Sequence, residues 1–280
     1  MKLALLAALL PLVAGSEPAH ATSGIRRCAT HHFHQPKEHQ TQQLINLYGP
    51  AAVTASTKKV VPVYWHTITS SKGEGALNSS QIANQMKVLN QDYAAAGFAF
   101  KLMGSDSTAN DDWFHNLSAD KHENQGAMKA KLRKGGANTL NFYSVNLTSG
   151  DLGFSSMPDG YKDRPIQDGV VFHHSTLPGG PWGDQYSRGK TVVHETGHWM
   201  GLYHTFEAGN CTDPHGDFVS DTPPQKEPTD GCPAKKDSCP GGGADLIHNY
   251  MDYSWDSCMT GFTRGQIVRM HTLTNLYRGL

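Results

Sequence analysis

The chain has 280 residues, with 24 Lys and Arg against 25 Asp and Glu and a formal net charge of -1. That length holds one catalytic-sized domain plus removable segments. The balanced charge offers no basic face, which argues against nucleic acid as a partner.

The N-terminus reads as a secretion signal. Lys2 gives a small positive start, Leu3 to Ala14 is apolar apart from Pro11, and Ala19-His20-Ala21 offers a small-x-small cleavage site. A bilayer span needs roughly 18 or more apolar residues, so this stretch is a signal peptide over residues 1–21 and no membrane partner is expected. Residues 22–55 are polar, rich in His, Gln and Thr, and lack periodicity, as a pro-segment or mobile lead-in would. The remainder, 56–280, is one domain, with an N-terminal lobe to about residue 204 and a C-terminal lobe over 205–280.

Lys59 to Thr67 is β-branched and aromatic and predicts a strand, with Pro62 suggesting an edge or a strand start. Ser79 to Ala96 predicts a helix from Ile82, Met86, Leu89 and Tyr93, ended by Gly97. Strands follow at Phe98 to Met103, Thr139 to Leu147 and Gly169 to His173, with a short edge strand over Leu152 to Pro158. A helix is expected from about Ser187 to Tyr203. Thr205 to His248 has no periodicity and carries much of the Pro and Gly; a loop that long is normally functional or cross-linked. A last helix starts at Thr263, with Gln266 completing a capping box and Ile267, Met270 and Leu273 as its apolar stripe. The pattern is α+β: an α/β-like lobe against a loop-rich lobe with a closing helix.

Five cysteines stand at 28, 211, 232, 239 and 258. In an oxidising compartment the four C-terminal ones would pair, and four cysteines allow three pairings. Asn78-Ser79-Ser80, Asn116-Leu117-Ser118 and Asn146-Leu147-Thr148 fit the N-glycosylation pattern, as does Asn210-Cys211-Thr212 less convincingly.

Residues 194–204 read H-E-T-G-H-W-M-G-L-Y-H. His194 and His198 are four apart, so on a helix both imidazoles reach one metal ion from the same face. Zinc suits three nitrogen ligands that leave one position for water. Glu195 then serves as general base towards that water. Gly201 lets the chain leave the helix, and His204 closes the ligand set. Five fixed positions of this kind arise by chance in only about one in several thousand such chains.

This long motif resembles the metzincin metallopeptidases and, within them, the pappalysin group, which includes ulilysin and many secreted fungal proteases. Gly201-Leu202-Tyr203-His204-Thr205-Phe206, Gly216-Asp217, Asp221-Thr222-Pro223, Asn249-Tyr250-Met251-Asp252-Tyr253 and Phe262-Thr263 with Gln266, Arg269 and Met270 all follow that group's pattern. The resemblance implies the metzincin fold: a twisted mixed sheet with an active-site helix, then the loop-rich lobe. It implies a secreted zinc metalloendopeptidase acting on protein or peptide substrates, expected as a monomer. Met251 would form the Met-turn base beneath the metal, and Tyr253 would hold the oxyanion of the tetrahedral intermediate. It implies the bridges Cys211–Cys239 and Cys232–Cys258, and calcium close by, for which Asp217 and Asp221 are candidate ligands. Latent members fill the open zinc position with a pro-segment cysteine. Cys28 lies where a pro-segment should be, although Ala29 stands where the related fungal motif has Gly.

Overall fold

The computed structural model describes residues 25–30, 38, 41–47, 58–120, 122–213 and 215–280. The signal-peptide assignment falls outside these residues, as does most of the lead-in.

Five strands form one mixed sheet. β1 (Lys59–Thr69), β2 (Phe98–Ala109), β3 (Leu140–Val145) and β5 (Val170–His173) are parallel, and β4 (Gly153–Ser155) runs antiparallel at the edge; the order is β2-β1-β3-β5-β4. Pro62 therefore lies in an internal strand rather than an edge. It is tolerated because β3 pairs with β1 only from Val63 onward, so one side of β1 is open at Pro62. β2 runs six residues beyond the expected Met103, since the polar Gly104–Ala109 stretch stays in register with Tyr64–Thr69. Sequence pattern missed this because an edge strand facing solvent carries no apolar alternation.

Both faces of the sheet are covered, as parallel sheets require. Successive side chains point to opposite faces, so Phe142 and Val170 join one core and Tyr143 and Val171 the other. The first core packs α1 (Ser79–Asp92) and α5 (Lys190–Trp199) on the sheet around fully buried Trp65. The second packs α2 (Asp111–His115) and α3 (His122–Leu132), two helices with no clear periodicity in the sequence. A short α4 (Gly183–Tyr186) precedes α5, and α6 (Arg264–Leu273) closes the chain from the capping box of Thr263 and Gln266.

Helix α1 fixes the height of α5. Gln85 Nε2 donates to Gly189 O at 3.0 Å, and Tyr93 Oη donates to Val193 O at 2.9 Å. α5 is shorter at both ends than the expected Ser187–Tyr203. It begins after Gly189 (φ 83°), and it stops where Gly201 takes φ 103°. Among the described residues, 205–248 contains no helix or strand. That lobe is held by the disulfides Cys211–Cys239 and Cys232–Cys258, which interleave along the chain.

Candidate metal centre and cleft

Helix α5 is buried along its length, and His194 and His198 project from it one turn apart. Their Nε2 atoms lie 3.1 Å apart, and His204 Nε2 is 3.1 Å from that of His198. Each ring is held through its other nitrogen: His194 Nδ1 donates to Tyr250 O at 2.7 Å, His198 Nδ1 to Leu202 O at 2.8 Å, and His204 Nδ1 to Glu207 Oε2 at 3.1 Å. Those partners are acceptors, so the proton sits on Nδ1 and every Nε2 presents a lone pair. Three lone pairs facing one another repel unless a cation lies between them. Burial also pushes all three imidazoles well down, His204 to about 3, which keeps them neutral and ready to ligate. The residues therefore fit a metal ion.

Cys28 joins this set. Its Sγ and the three histidine nitrogens all lie within 4.8 Å of one another. The thiol is 3.4 Å from both His198 Nε2 and Glu195 Oε2. Burial, then the Glu195 carboxylate, push the thiol upward, so only a cation at this point would favour its thiolate.

Glu195 is fully buried, and burial raises its carboxyl to about 8 against hydrogen bonds from Cys28 and Thr30 that lower it. Thr30 Oγ1 donates to Glu195 Oε2 at 2.9 Å. Tyr253 Oη donates to Cys28 O at 3.0 Å and lies 3.3 Å from His204 Nε2. Met251 is fully buried, and a Cβ on Gly197 would stand only 2.5 Å from its sulfur. The glycine between the two helix histidines is what lets this methionine approach.

The lead-in packs against this centre and strand β4. Arg26 pairs in parallel with Asp151, Ala29 N donates to Gly153 O at 2.9 Å, and Ser155 N donates to Thr30 Oγ1 at 2.9 Å. Arg27 fills a buried socket beside the metal centre: Nη1 donates to Asp256 Oδ1 at 2.9 Å and Nη2 to Ser254 O at 2.8 Å. Further along, Glu38 forms a buried ion pair with Arg269 at 2.5 Å. Sequence reasoning missed Arg27, Glu38, Asp256 and Gly153. Gly153 carries the clearest structural reason: a Cβ there would meet Glu195 Cγ at 2.8 Å.

The other candidates lie apart from this centre. Asp221 accepts from Thr263 Oγ1 and Gly265 N, serving the start of α6. Asp217 accepts from Thr222 Oγ1 and Val219 N, while its buried Oδ2 has no hydrogen-bond partner among the described residues. Asn78 and Asn116 are exposed; Asn146 is half-buried and accepts from His173 Nε2 at 2.9 Å.

The sequence model of the peptidase M43 family, described as pregnancy-associated plasma protein-A, matches residues 140–275. The chain is 45% identical over 223 residues to extracellular metalloprotease 1 of Coccidioides posadasii, covering 78% of each chain. The chain belongs to this family. An extracellular metalloprotease of Colletotrichum graminicola is 39% identical over 264 residues, covering 90% of each. Among solved structures, a promirolysin mutant of Tannerella forsythia superposes with TM-score 0.71 at 25% identity, covering 91% of this chain and 95% of that one. Mature mirolysin with a cleaved peptide gives TM-score 0.63 at 28% identity, covering 77% of this chain and 91% of that one. The fold is thus that of the metzincin metallopeptidases, and the M43 chain is a metal-dependent hydrolase of peptide bonds.

Proposed function

We propose that the chain is a secreted zinc endopeptidase, that His194, His198 and His204 hold the ion, and that the described form is latent. The convergence of three neutral imidazole nitrogens on one point, each ring fixed from behind, carries this reading.

Bound there, zinc supplies Lewis acidity that polarises a peptide carbonyl and lowers the pKa of water. With the metal bound, Glu195 would accept a proton from the attacking water and pass one to the leaving amine. Tyr253 supplies a hydroxyl donor 3.3 Å from His204 Nε2, on the side of the ring that faces the metal position and in reach of a developing oxyanion. Burial raises that phenol, so it stays protonated and able to donate. The edge strand β4 supplies backbone groups along which an extended substrate lies.

Residues 22–55 act as the pro-segment. Cys28 would supply a fourth ligand to the metal, while Thr30 engages Glu195 and Arg27 anchors the strand. The larger share of this chain covered by the promirolysin match than by the mature one supports this division. The Arg27 socket, with Asp256 at its end, further suits a cationic substrate side chain once the lead-in has gone.

Three subsidiary assignments accompany this reading. The exposed Asn78 and Asn116 are the better placed glycosylation sites. The protein works as a monomer. A cation near Asp217 is supported by its unpartnered Oδ2, whereas both Asp221 oxygens are already engaged.

The test is casein cleavage by processed enzyme with and without 1,10-phenanthroline, beside Glu195→Ala. Cleavage abolished by both treatments is expected. Cleavage that survives chelation with the metal demonstrably removed would refute a metal-dependent mechanism.

A further inference from the structure

The third histidine is the least constrained by local geometry. His194 and His198 share a rigid helix, whereas His204 lies beyond its end, in a segment without regular structure. Its place depends on the turn over residues 199–204. That turn begins as a Schellman motif: Gly201 N donates to His198 O at 2.8 Å and Leu202 N to Gly197 O at 2.9 Å. The motif caps two helix carbonyls and leaves those of Trp199 and Gly201 without partners from the helix itself.

Two arginines from the C-terminal segment take those carbonyls. Arg278 Nε donates to Trp199 O at 2.8 Å, and Arg269 Nε donates to Gly201 O at 2.7 Å. Each also lies over an aromatic ring of the same turn: the Arg278 guanidinium carbon is 3.5 Å from the Trp199 ring centroid, and that of Arg269 is 5.0 Å from the Tyr203 ring. Trp199 directly follows His198, and Tyr203 directly precedes His204. Both guanidinium groups are buried and need counter-charges. Asp168 serves Arg278 at 3.1 Å and also accepts from Trp199 Nε1 at 3.2 Å; Glu38 serves Arg269 and accepts from Tyr203 Oη at 3.1 Å.

We propose that Arg269 and Arg278 are positioning residues for His204, bracing the two ends of the turn that carries it to the metal. This rests on the reading of His204 as a ligand. The repeated pattern of carbonyl, ring and counter-ion is what separates bracing from simple core filling. An apolar side chain would fill the space but leave two buried carbonyls unpaired and both rings free to shift. Lysine would keep the charge but lose the planar fork that bonds and stacks at once.

The test measures zinc affinity of the full chain by competition with a chromogenic chelator, together with the visible spectrum of the Co2+-substituted protein. Arg269→Lys and Arg278→Lys are compared with Leu132→Ala, a core truncation on the opposite face of the sheet that sets the effect of lost stability alone. Loss of an outer partner of a metal site weakens binding on the order of 10- to 100-fold, so both arginine variants should fall in that range with an altered Co2+ spectrum, while Leu132→Ala keeps both. If an arginine variant does not fold, Tyr203→Leu removes the ring beneath Arg269 together with the hydroxyl's bond to Glu38 and should weaken zinc by about 2- to 5-fold. Arginine variants that lose stability like Leu132→Ala but retain zinc affinity would overturn the proposal. His204→Ala separates the two readings: weakened binding there beside unchanged arginine variants overturns the bracing alone, and unchanged binding in His204→Ala overturns both.

Discussion

Gly153→Ala tests the placing of the proposed general base, Glu195, without touching a proposed metal ligand. Gly153 sits in the edge strand β4 with no positive φ, so alanine brings no backbone strain. Its new Cβ would stand 2.8 Å from Glu195 Cγ, 3.1 Å from Glu195 Oε1 and 3.1 Å from Val171 O. Carbon atoms in contact prefer about 3.5–4.0 Å, so the pair falls short by roughly 0.7 Å or more. Val171 O belongs to the β4–β5 ladder and resists movement, which leaves Glu195 to give way. A displacement near 1 Å in a catalytic group costs on the order of 100-fold in rate, about 2.7 kcal/mol of barrier. The assay is kcat and KM on an internally quenched peptide with processed enzyme, zinc content being measured alongside and Glu195→Ala giving the floor. We expect kcat to fall by about 100-fold with full zinc occupancy. A kcat within about threefold of the parent would refute the claim that Gly153 is needed for Glu195 to reach its working position.

Cys28→Ser in the full chain should raise activity before any processing, because a hydroxyl is a far poorer zinc ligand than a thiolate; unchanged latency on a peptide substrate would rule out the cysteine as the blocking group. Asp256→Asn should lower kcat/KM for peptides offering a cationic side chain while sparing neutral ones, read from paired substrates; equal losses on both would deny the socket a role in selection. Opening either disulfide, closing 28 or 26 residues, should cost about 3–4 kcal/mol in the chain-entropy account, measured by urea unfolding of Cys→Ala pairs. Lys129 is fully buried, and desolvation lowers it from the ordinary 10.5 to about 8. Between those values the unfolded chain binds the extra proton, so stability should rise with pH from about 8 to 10.5, by about 3 kcal/mol at most. Lys129→Met should remove that part of the slope in unfolding titrations; an unaltered slope would show that the lysine is not the group responsible.

The sequence showed most about the residues whose chemistry fixes their spacing. His194, Glu195, His198, Gly201 and His204 are legible because a helix turn and one glycine dictate their separations. The capping box of α6 was legible because a cap is a local code, complete within Thr263 to Gln266. Local code fails where a partner lies far along the chain. Nothing near Gly153 announces that Glu195 will press against it from the neighbouring helix. Pro62 suggested an edge or a strand start because its own strand cannot say where the third strand begins to pair. Arg27 and Glu38 lie in a stretch without periodicity, since their burial depends on surfaces supplied by residues over 200 positions later.

On the proposed reading, the latent and working forms use the same groups. In the described chain Cys28 Sγ faces the histidine nitrogens, Thr30 holds Glu195, the Cys28 carbonyl accepts from Tyr253, and Asp256 is neutralised by Arg27. The backbone at residues 150–155 is occupied as well, through Gly150 O, Leu152 N, Gly153 O and Ser155 N. Each of these groups loses its lead-in partner when that segment departs, Asp256 Oδ2 keeping Arg188 N and Lys190 N, and unpaired buried groups are costly. Water meets part of that need, but an extended peptide with a cationic side chain meets all of it at once. On that reading, the contacts that hold the lead-in also favour the next peptide entering, and they do so beside the proposed metal ligands and base.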